Sequence, residues 1–423
     1  MGFRQKRSEK DKSKMYSGKK LVLYPTEEQK RYIEKSIDLY RFVYNWTLEQ
    51  EQIQYKLFQN GETDKKFLRD YDLQKRLSEL RNSTPWLQEV KLGTLRNAMF
   101  DAIEAYDKFF SRRYHNKYPK FKSKKRSVKM FRPRLDGKFY FEGSKVRIEG
   151  LPIGDKIETK WDSGYQKSDN IKYINAVIKL DTTGNYILSF DREVIKPCYL
   201  DDNNNVIDNY EYAPEYNRAI GIDLNVKNLI VTSYNNGEIF KAPNVSREIK
   251  AIKRLQRKCQ NDRKRYKQIV SNLERTNPDI NLPDKSKRSQ KREIKLAKKY
   301  RRCTNIYNDY IRKVSKEIVL RKPVAIVLED LQIDLMYKKH YLASNIGPFT
   351  PFRRIRKIFE NNCDKYGVPV IIAPKDYRSS QICSECGHEK HMGSQKIYVC
   401  HNCGARKNRD INAAFNLENL CYN

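Results

Sequence analysis

Residues 379–416 read SSQICSECGHEKHMGSQKIYVCHNCGARKNRDINAAFN. Two Cys-x-x-Cys knuckles, Cys383/Cys386 and Cys400/Cys403, stand thirteen residues apart. At that spacing four thiolates can occupy the corners of a tetrahedron around one structural Zn²⁺, with a short hairpin between the knuckles. Gly387 and Gly404 follow the second cysteine of each pair, where a knuckle turn needs a residue tolerant of positive φ. Two disulfides or four unrelated thiols are the alternatives, and the regular pairing favours zinc. Beyond the second knuckle lies Asp410. On a helix, Ala413, Ala414 and Leu417 share its face at i+3, i+4 and i+7, which points a carboxylate inward. An ionised inward carboxylate is costly unless a cation meets it.

The remaining chain says what that cation serves. With 86 Lys+Arg against 52 Asp+Glu in 423 residues, the formal charge is +34, which favours a polyanionic partner, nucleic acid first. No apolar run approaches the ~20 residues that span a bilayer, so no membrane partner is expected. Residues 1–19 are polar and basic, read as a disordered arm with no signal-peptide character. Cys198, Cys259, Cys303, Cys363 and Cys421 are scattered and odd in number, as fits a reducing, cytoplasmic setting.

In chain order, Lys20–Tyr24 alternates like a strand, and Pro25, with Thr26 as N-cap, starts a helix carrying Ile33, Ile37, Tyr40, Val43, Tyr44 and Leu48. Further helices follow at about Lys65–Asn82 and Leu92–Arg113. Segment 112–134, RRYHNKYPKFKSKKRSVKMFRPR, holds no acid and interleaves rings with cations. Arg112, Arg113, Lys117, Lys120, Lys122, Lys124, Lys125 and Arg126 are its candidate phosphate contacts. From Lys138 to Ile195 short alternating runs punctuated by glycine suggest a small β-barrel or sandwich, with the helices inserted into it. Residues 201–216 are acidic and mark a linker. Residues 246–302 read as a helical hairpin with 21 Lys/Arg against 6 Asp/Glu, an imbalance that argues for a phosphate-facing surface through Arg254, Arg257 and Lys258.

Two more acids stand out. Asp223 lies within the apolar strand AIGIDL, and Glu329 ends the buried strand PVAIVLED. With Asp410 they fit a sheet that gathers hard oxygen ligands around two Mg²⁺ or Mn²⁺ for phosphodiester hydrolysis. Asp330 alternates to the other side and is the weaker candidate.

IGIDLNVKNLIVTS, IVLEDL and the knuckle block with NRDINAAFN resemble the three RuvC-type motifs and zinc ribbon of the TnpB family, transposon-encoded RNA-guided DNA nucleases related to miniature type V CRISPR effectors. LYPTEEQK, RFVYNWTLEQ and YPKFKSKK are similar to that family too. The resemblance implies an α+β multidomain chain: a β-barrel (20–25 and 114–200) with a helical recognition insertion (26–113), then an RNase H-like RuvC domain (217–380), zinc ribbon (381–405) and final helix (406–423). It implies a guide RNA and target double-stranded DNA as partners, a short adjacent DNA motif, and Asp223, Glu329 and Asp410 as the catalytic acids. Asn408 stands where many relatives have Asp. A nuclease-inactive repressor or a guide-independent resolvase or transposase are the rival readings; all three acids are present, which disfavours the repressor.

Overall fold

The computed structural model describes residues 11–111, 116–125, 127–135, 139–152, 154–160, 172–201, 203–207, 210–225, 229–277, 283–330, 352–393 and 395–422. Of the basic arm, residues 1–10 lie outside them. The chain divides into two compact units, Met1–Val194 and Ile195–Asn423. No helix among the described residues is long and apolar enough to cross a membrane.

The first unit opens with β1 (Lys14–Tyr24). Thr26 then caps α1 (Glu27–Gln59) through a reciprocal box, its Oγ1 accepting the Gln29 N–H while Gln29 Oε1 accepts the Thr26 N–H. The apolar spacing of α1 buries Ile33, Ile37, Tyr40, Val43 and Leu48, and α1 packs on α3 (Leu92–Phe110), with α2 (Asp70–Ser83) between them in sequence. Short strands follow: β2 (Met130–Phe131), β3 (Tyr140–Glu142), β4 (Lys145–Arg147), β5 (Ile157–Thr159), β6 (Lys172–Leu180) and β7 (Tyr186–Ile195). They form one sheet with β1, in the order β2-β6-β7-β1-β5-β4-β3. Strand β1 begins at Lys14, ahead of the expected Lys20. Its polar first half carries little apolar pattern; β1 lies between β7 and β5, with β5 paired at Leu23 and Tyr24 and Glu193 of β7 reaching Lys14 at 3.8 Å.

The second unit carries β8 (Ile220–Asp223), β9 (Ile230–Thr232), β10 (Glu238–Phe240), α4 (Ser246–Thr276), α5 (Lys287–Val319), β11 (Ile326–Leu328), α6 (Phe352–Tyr366), β12 (Val370–Ile372), the hairpin β13 (Ile397–Val399) and β14 (Arg406–Asn408), and α7 (Arg409–Asn419). Its main sheet runs β10-β9-β8-β11-β12; β8, β11 and β12 are parallel, β9 is antiparallel to both of its neighbours, and β10 thereby returns to the direction of β8. Helix α5 continues past Arg302 to Val319, and its last turns bury Ile311, Val314 and Ile318 against the sheet.

Strand alternation sorts the sheet's two faces. Ile220 and Ile222 of β8, with Ile326 and Leu328 of β11, pack with α5 and α6. Ala219, Ala325 and Val327 pack with Leu417 of α7 on the other face. Gly221 belongs to that second face. A Cβ there would sit 2.0 Å from the Ala414 carbonyl oxygen and 2.5 Å from the Glu418 nitrogen, both α7 backbone. Helix α7 therefore lies on β8 at a distance only glycine permits. Gly221→Ala forces that contact open and is expected to destabilise the second unit by about 1–3 kcal/mol or more, read as a lower midpoint in chemical denaturation. An unchanged midpoint would mean that α7 does not press on β8.

Candidate active site and metal centre

The face that receives α7 also receives the acids. Asp223 follows Ile222, and Glu329 follows Leu328, its paired residue on the neighbouring parallel strand. By alternation both carboxylates turn to the α7 side. Asp410 enters from the first turn of α7, where Asn408 Oδ1 accepts the N–H groups of Asp410 (2.9 Å) and Ile411 (3.4 Å). Asn408 thus serves as N-cap, a role asparagine fills as well as aspartate.

Asp223 is 8% exposed and accepts a 3.3 Å bond from Asn225 Nδ2. Burial, then the charges of Glu329 and Asp410, hold its carboxyl well above the usual range. Burial pushes Glu329 up to about 7, with Asp410 adding to it; the Ser379 hydroxyl and the Leu224 backbone N–H work in the opposite direction. Ser379 Oγ donates to Glu329 Oε1 at 2.8 Å. The three carboxylates thus share one electrostatic neighbourhood. The guanidinium of Arg409, 3.5 Å from Asp410 Oδ1, answers part of that charge. A cluster of this kind is unfavourable by itself and would be relieved by a hard cation. Asp330 stands apart, pairing with Arg356 of α6, which also reaches Glu360 at 2.9 Å.

The sequence alone assigns no role to Asn412, Asn416 or Ser379. Both asparagines are buried and bond the loop entering the first knuckle: Asn412 Nδ2 to the Ile382 carbonyl (2.6 Å), and Asn416 Nδ2 to the carbonyls of Ser379 and Ile382 (both 2.7 Å). Two polar residues four apart on an otherwise Ala/Leu face were the available signal.

The knuckles converge. Cys383 Sγ lies 3.6 Å from Cys403 Sγ, and Cys386 Sγ 3.6 Å from Cys400 Sγ; all four sulfurs fall within 4.8 Å of one another. All nine cysteines are free thiols, and these spacings far exceed a disulfide's ~2.05 Å bond. Gly387 (φ 73°) and Gly404 (φ 74°) close the turns with N–H bonds to the Cys383 and Cys400 carbonyls. The donor set fits a tetrahedral thiophilic ion.

Of the basic candidates, Lys117, Lys120, Lys124 and Lys125 are exposed, as are Arg254, Arg257 and Lys258 on α4. Lys124 pairs with Asp38 at 2.9 Å. Lys122 is turned inward, its Nζ 3.3 Å from the Tyr44 ring centre, and burial lowers it to about 8. Arg112, Arg113 and Arg126 lie outside the described residues. The hairpin is stapled on its inner side by Arg292–Asp262 (2.8 Å) and Arg263–Glu293 (3.1 Å), and Cys259 is buried there.

Three family profiles match the sequence: "Helix-turn-helix domain" over residues 15–61, "Probable transposase" over 197–340, and "Cas12f1-like, TNB domain" over 352–417. Residues 15–61 here are mainly β1 and α1. The chain is 25% identical over 415 residues to a Streptomyces pristinaespiralis protein named "Putative RNA-guided DNA endonuclease", covering 94% of this chain and 87% of that one. It is 24% identical over 423 residues to a TnpB-like protein of Acanthamoeba polyphaga mimivirus, covering 95% and 72%. In fold it is similar to the protein in "Cryo-EM structure of the Cas12f1-sgRNA-target DNA complex", with TM-score 0.54, 12% identity, and coverage of 96% of this chain and 99% of that one.

The carboxylate cluster has a pH signature. Folded, Glu329 holds its proton up to about 7, against an ordinary 4.5. Its contribution to stability is whole below that ordinary value and is lost as pH rises through the folded one; Asp223 acts in the same direction. The protein free of divalent cations should therefore lose stability between about pH 5 and pH 8. Glu329→Gln should flatten that slope and raise Tm at the alkaline end, by about 2–4 °C per kcal/mol relieved. Thermal melts of both proteins in Mg²⁺-free buffer check this; parallel slopes would contradict it.

Proposed function

The chain belongs to the TnpB family, and on that footing we propose that it is an RNA-guided endonuclease. Its substrate is double-stranded DNA, cut beside a short adjacent motif by a single RuvC-type site. The observation that carries this reading is the meeting of buried Asp223 with Glu329 and Asp410 where α7 covers the sheet, close enough for their charges to act on one another. The sheet order, with β9 running opposite to the other four strands, supports an RNase H-like assignment.

The three acids would hold two Mg²⁺ or Mn²⁺. Bound there, the ions would activate a water and stabilise the departing 3′ oxygen. The protein's own part is orientation: Asn225 steadies Asp223, Ser379 and the Leu224 N–H steady Glu329, and the Asn408 cap fixes the turn bearing Asp410.

One Zn²⁺ would sit among Cys383, Cys386, Cys400 and Cys403, structural because four thiolates leave no open position. Guide RNA and target DNA are the partners suggested by the names of the similar proteins. The exposed cations of α4 and of segment 116–125 would meet their phosphates. The sheet of the first unit takes the role of the barrel (20–25 and 114–200), residues 26–113 that of the recognition insertion, and the protein works where DNA is, in the cytoplasm.

Asp223→Ala, Glu329→Ala and Asp410→Ala should each reduce cleavage of a guide-matched plasmid in Mg²⁺ to background, while guide-directed binding of the same DNA persists. Asp330→Ala should cut at close to the wild-type rate, since it loses only a part-exposed ion pair. Cleavage surviving Asp410→Ala would refute the assigned site, and cleavage without RNA would refute guidance.

A further inference from the structure

Ser379 is 4% exposed, and its hydroxyl donates to Glu329 Oε1, the residue fifty positions earlier in the chain. A buried hydroxyl can be satisfied by any nearby carbonyl; this one meets a carboxylate, where the bond is charge-assisted and fixes a side-chain rotamer. A carboxylate offers about four acceptor sites. Ser379 and the Leu224 N–H use two of them, from the protein side, leaving the remainder for a cation.

Ser379 is in turn held. Its carbonyl accepts from Asn416 Nδ2, whose second bond goes to the Ile382 carbonyl, so one amide clamps both ends of the turn between them. Tyr377 OH donates to the Asn416 carbonyl at 3.0 Å, which ties the segment before that turn to α7 as well. Asn416 and Asp410 belong to the same helix. Glu329 and Asp410, delivered by different elements, are thereby joined through two short hydrogen bonds, Ser379 to Glu329 and Asn416 to Ser379, and through the helix that carries both Asn416 and Asp410.

We propose that Ser379 is a positioning residue for Glu329, locked by Asn416, and that this pair sets the relative placement of two carboxylates of the metal site. The proposal rests on the reading of those acids as ligands. Removing the hydroxyl frees Glu329 to rotate while leaving every carboxylate in the chain, so the effect falls on cation affinity ahead of folding. Loss of a ligand's outer hydrogen-bond partner typically weakens metal affinity by about 10–100-fold.

The experiment uses full-length protein with its copurified RNA and four variants: Ser379→Ala, Ser379→Thr, Ser379→Val and Glu329→Ala. Mn²⁺ binding is followed by the electron paramagnetic resonance of the free ion, with zinc content and Tm measured alongside. Ser379→Ala and Ser379→Val should bind Mn²⁺ about 10–100-fold more weakly at wild-type zinc content, and Ser379→Thr should restore most of the affinity. Threonine and valine share a shape, so their difference reports the hydroxyl even if alanine disturbs folding. Wild-type affinity in Ser379→Val, or equal weakness in the threonine and valine variants, overturns the proposal. Tight Mn²⁺ binding that survives Glu329→Ala overturns instead the ligand reading beneath it, and the proposal with it.

Discussion

The second unit depends on how closely one helix can lie on one strand. At Gly221 the backbone of α7 comes within the space a methyl group would occupy. Opposite it the helix presents fully buried Ala414. Small residues on both sides let backbone meet backbone, and that contact sets the depth at which the first turn of α7 enters. Asp410 is in that turn, and Asp223 is two residues along the strand on the same face as Gly221. The glycine thus acts on the acids at a distance. Arg218, which bonds buried Glu418 at 2.8 Å, and Tyr422, whose hydroxyl accepts the Ala219 N–H, hold the far end of the helix to the same strand.

What this contact brings together is electrostatically uncomfortable. Asp223 and Glu329 are both shifted toward their protonated forms by burial and by their neighbours' charge. A fold selected only for stability would place an arginine between them or replace one with an amide. Keeping them is a local cost accepted in a unit whose apolar faces are otherwise well filled, and such costs concentrate at functional sites. Asp330 shows the alternative: one residue away, it is paired with Arg356 and carries no comparable strain.

Much of this was legible in the sequence because it depends on short periods. AIGIDL and AIVLED alternate, so Asp223 and Glu329 could be put on one face, and the i+3, i+4, i+7 pattern after Asp410 turned it inward. The Cys-x-x-Cys spacing placed four sulfurs together, as found. Long-range placement was hidden. Ser379 lies in a polar run and acquires meaning only from a partner fifty positions away. The tail of α5 was masked by charge, since its apolar Ile311, Val314 and Ile318 follow a strongly basic run that drew the boundary at Arg302. Lys122 sits among basic neighbours and looks equally solvated, yet the Tyr44 ring takes it inward. The polar half of β1 has no pattern of its own and is a strand because of its neighbours.

The net charge of +34 describes what the whole molecule attracts, but the chemistry turns on a small acidic island within it. The central claim is that Asp223, Glu329 and Asp410 together bind divalent cations. Anomalous diffraction from crystals grown with Mn²⁺ tests it most directly. The account predicts two peaks about 3.5–4 Å apart, each within bonding reach of at least one of the three carboxylates. Ordered Mn²⁺ elsewhere, with this face empty, would contradict it.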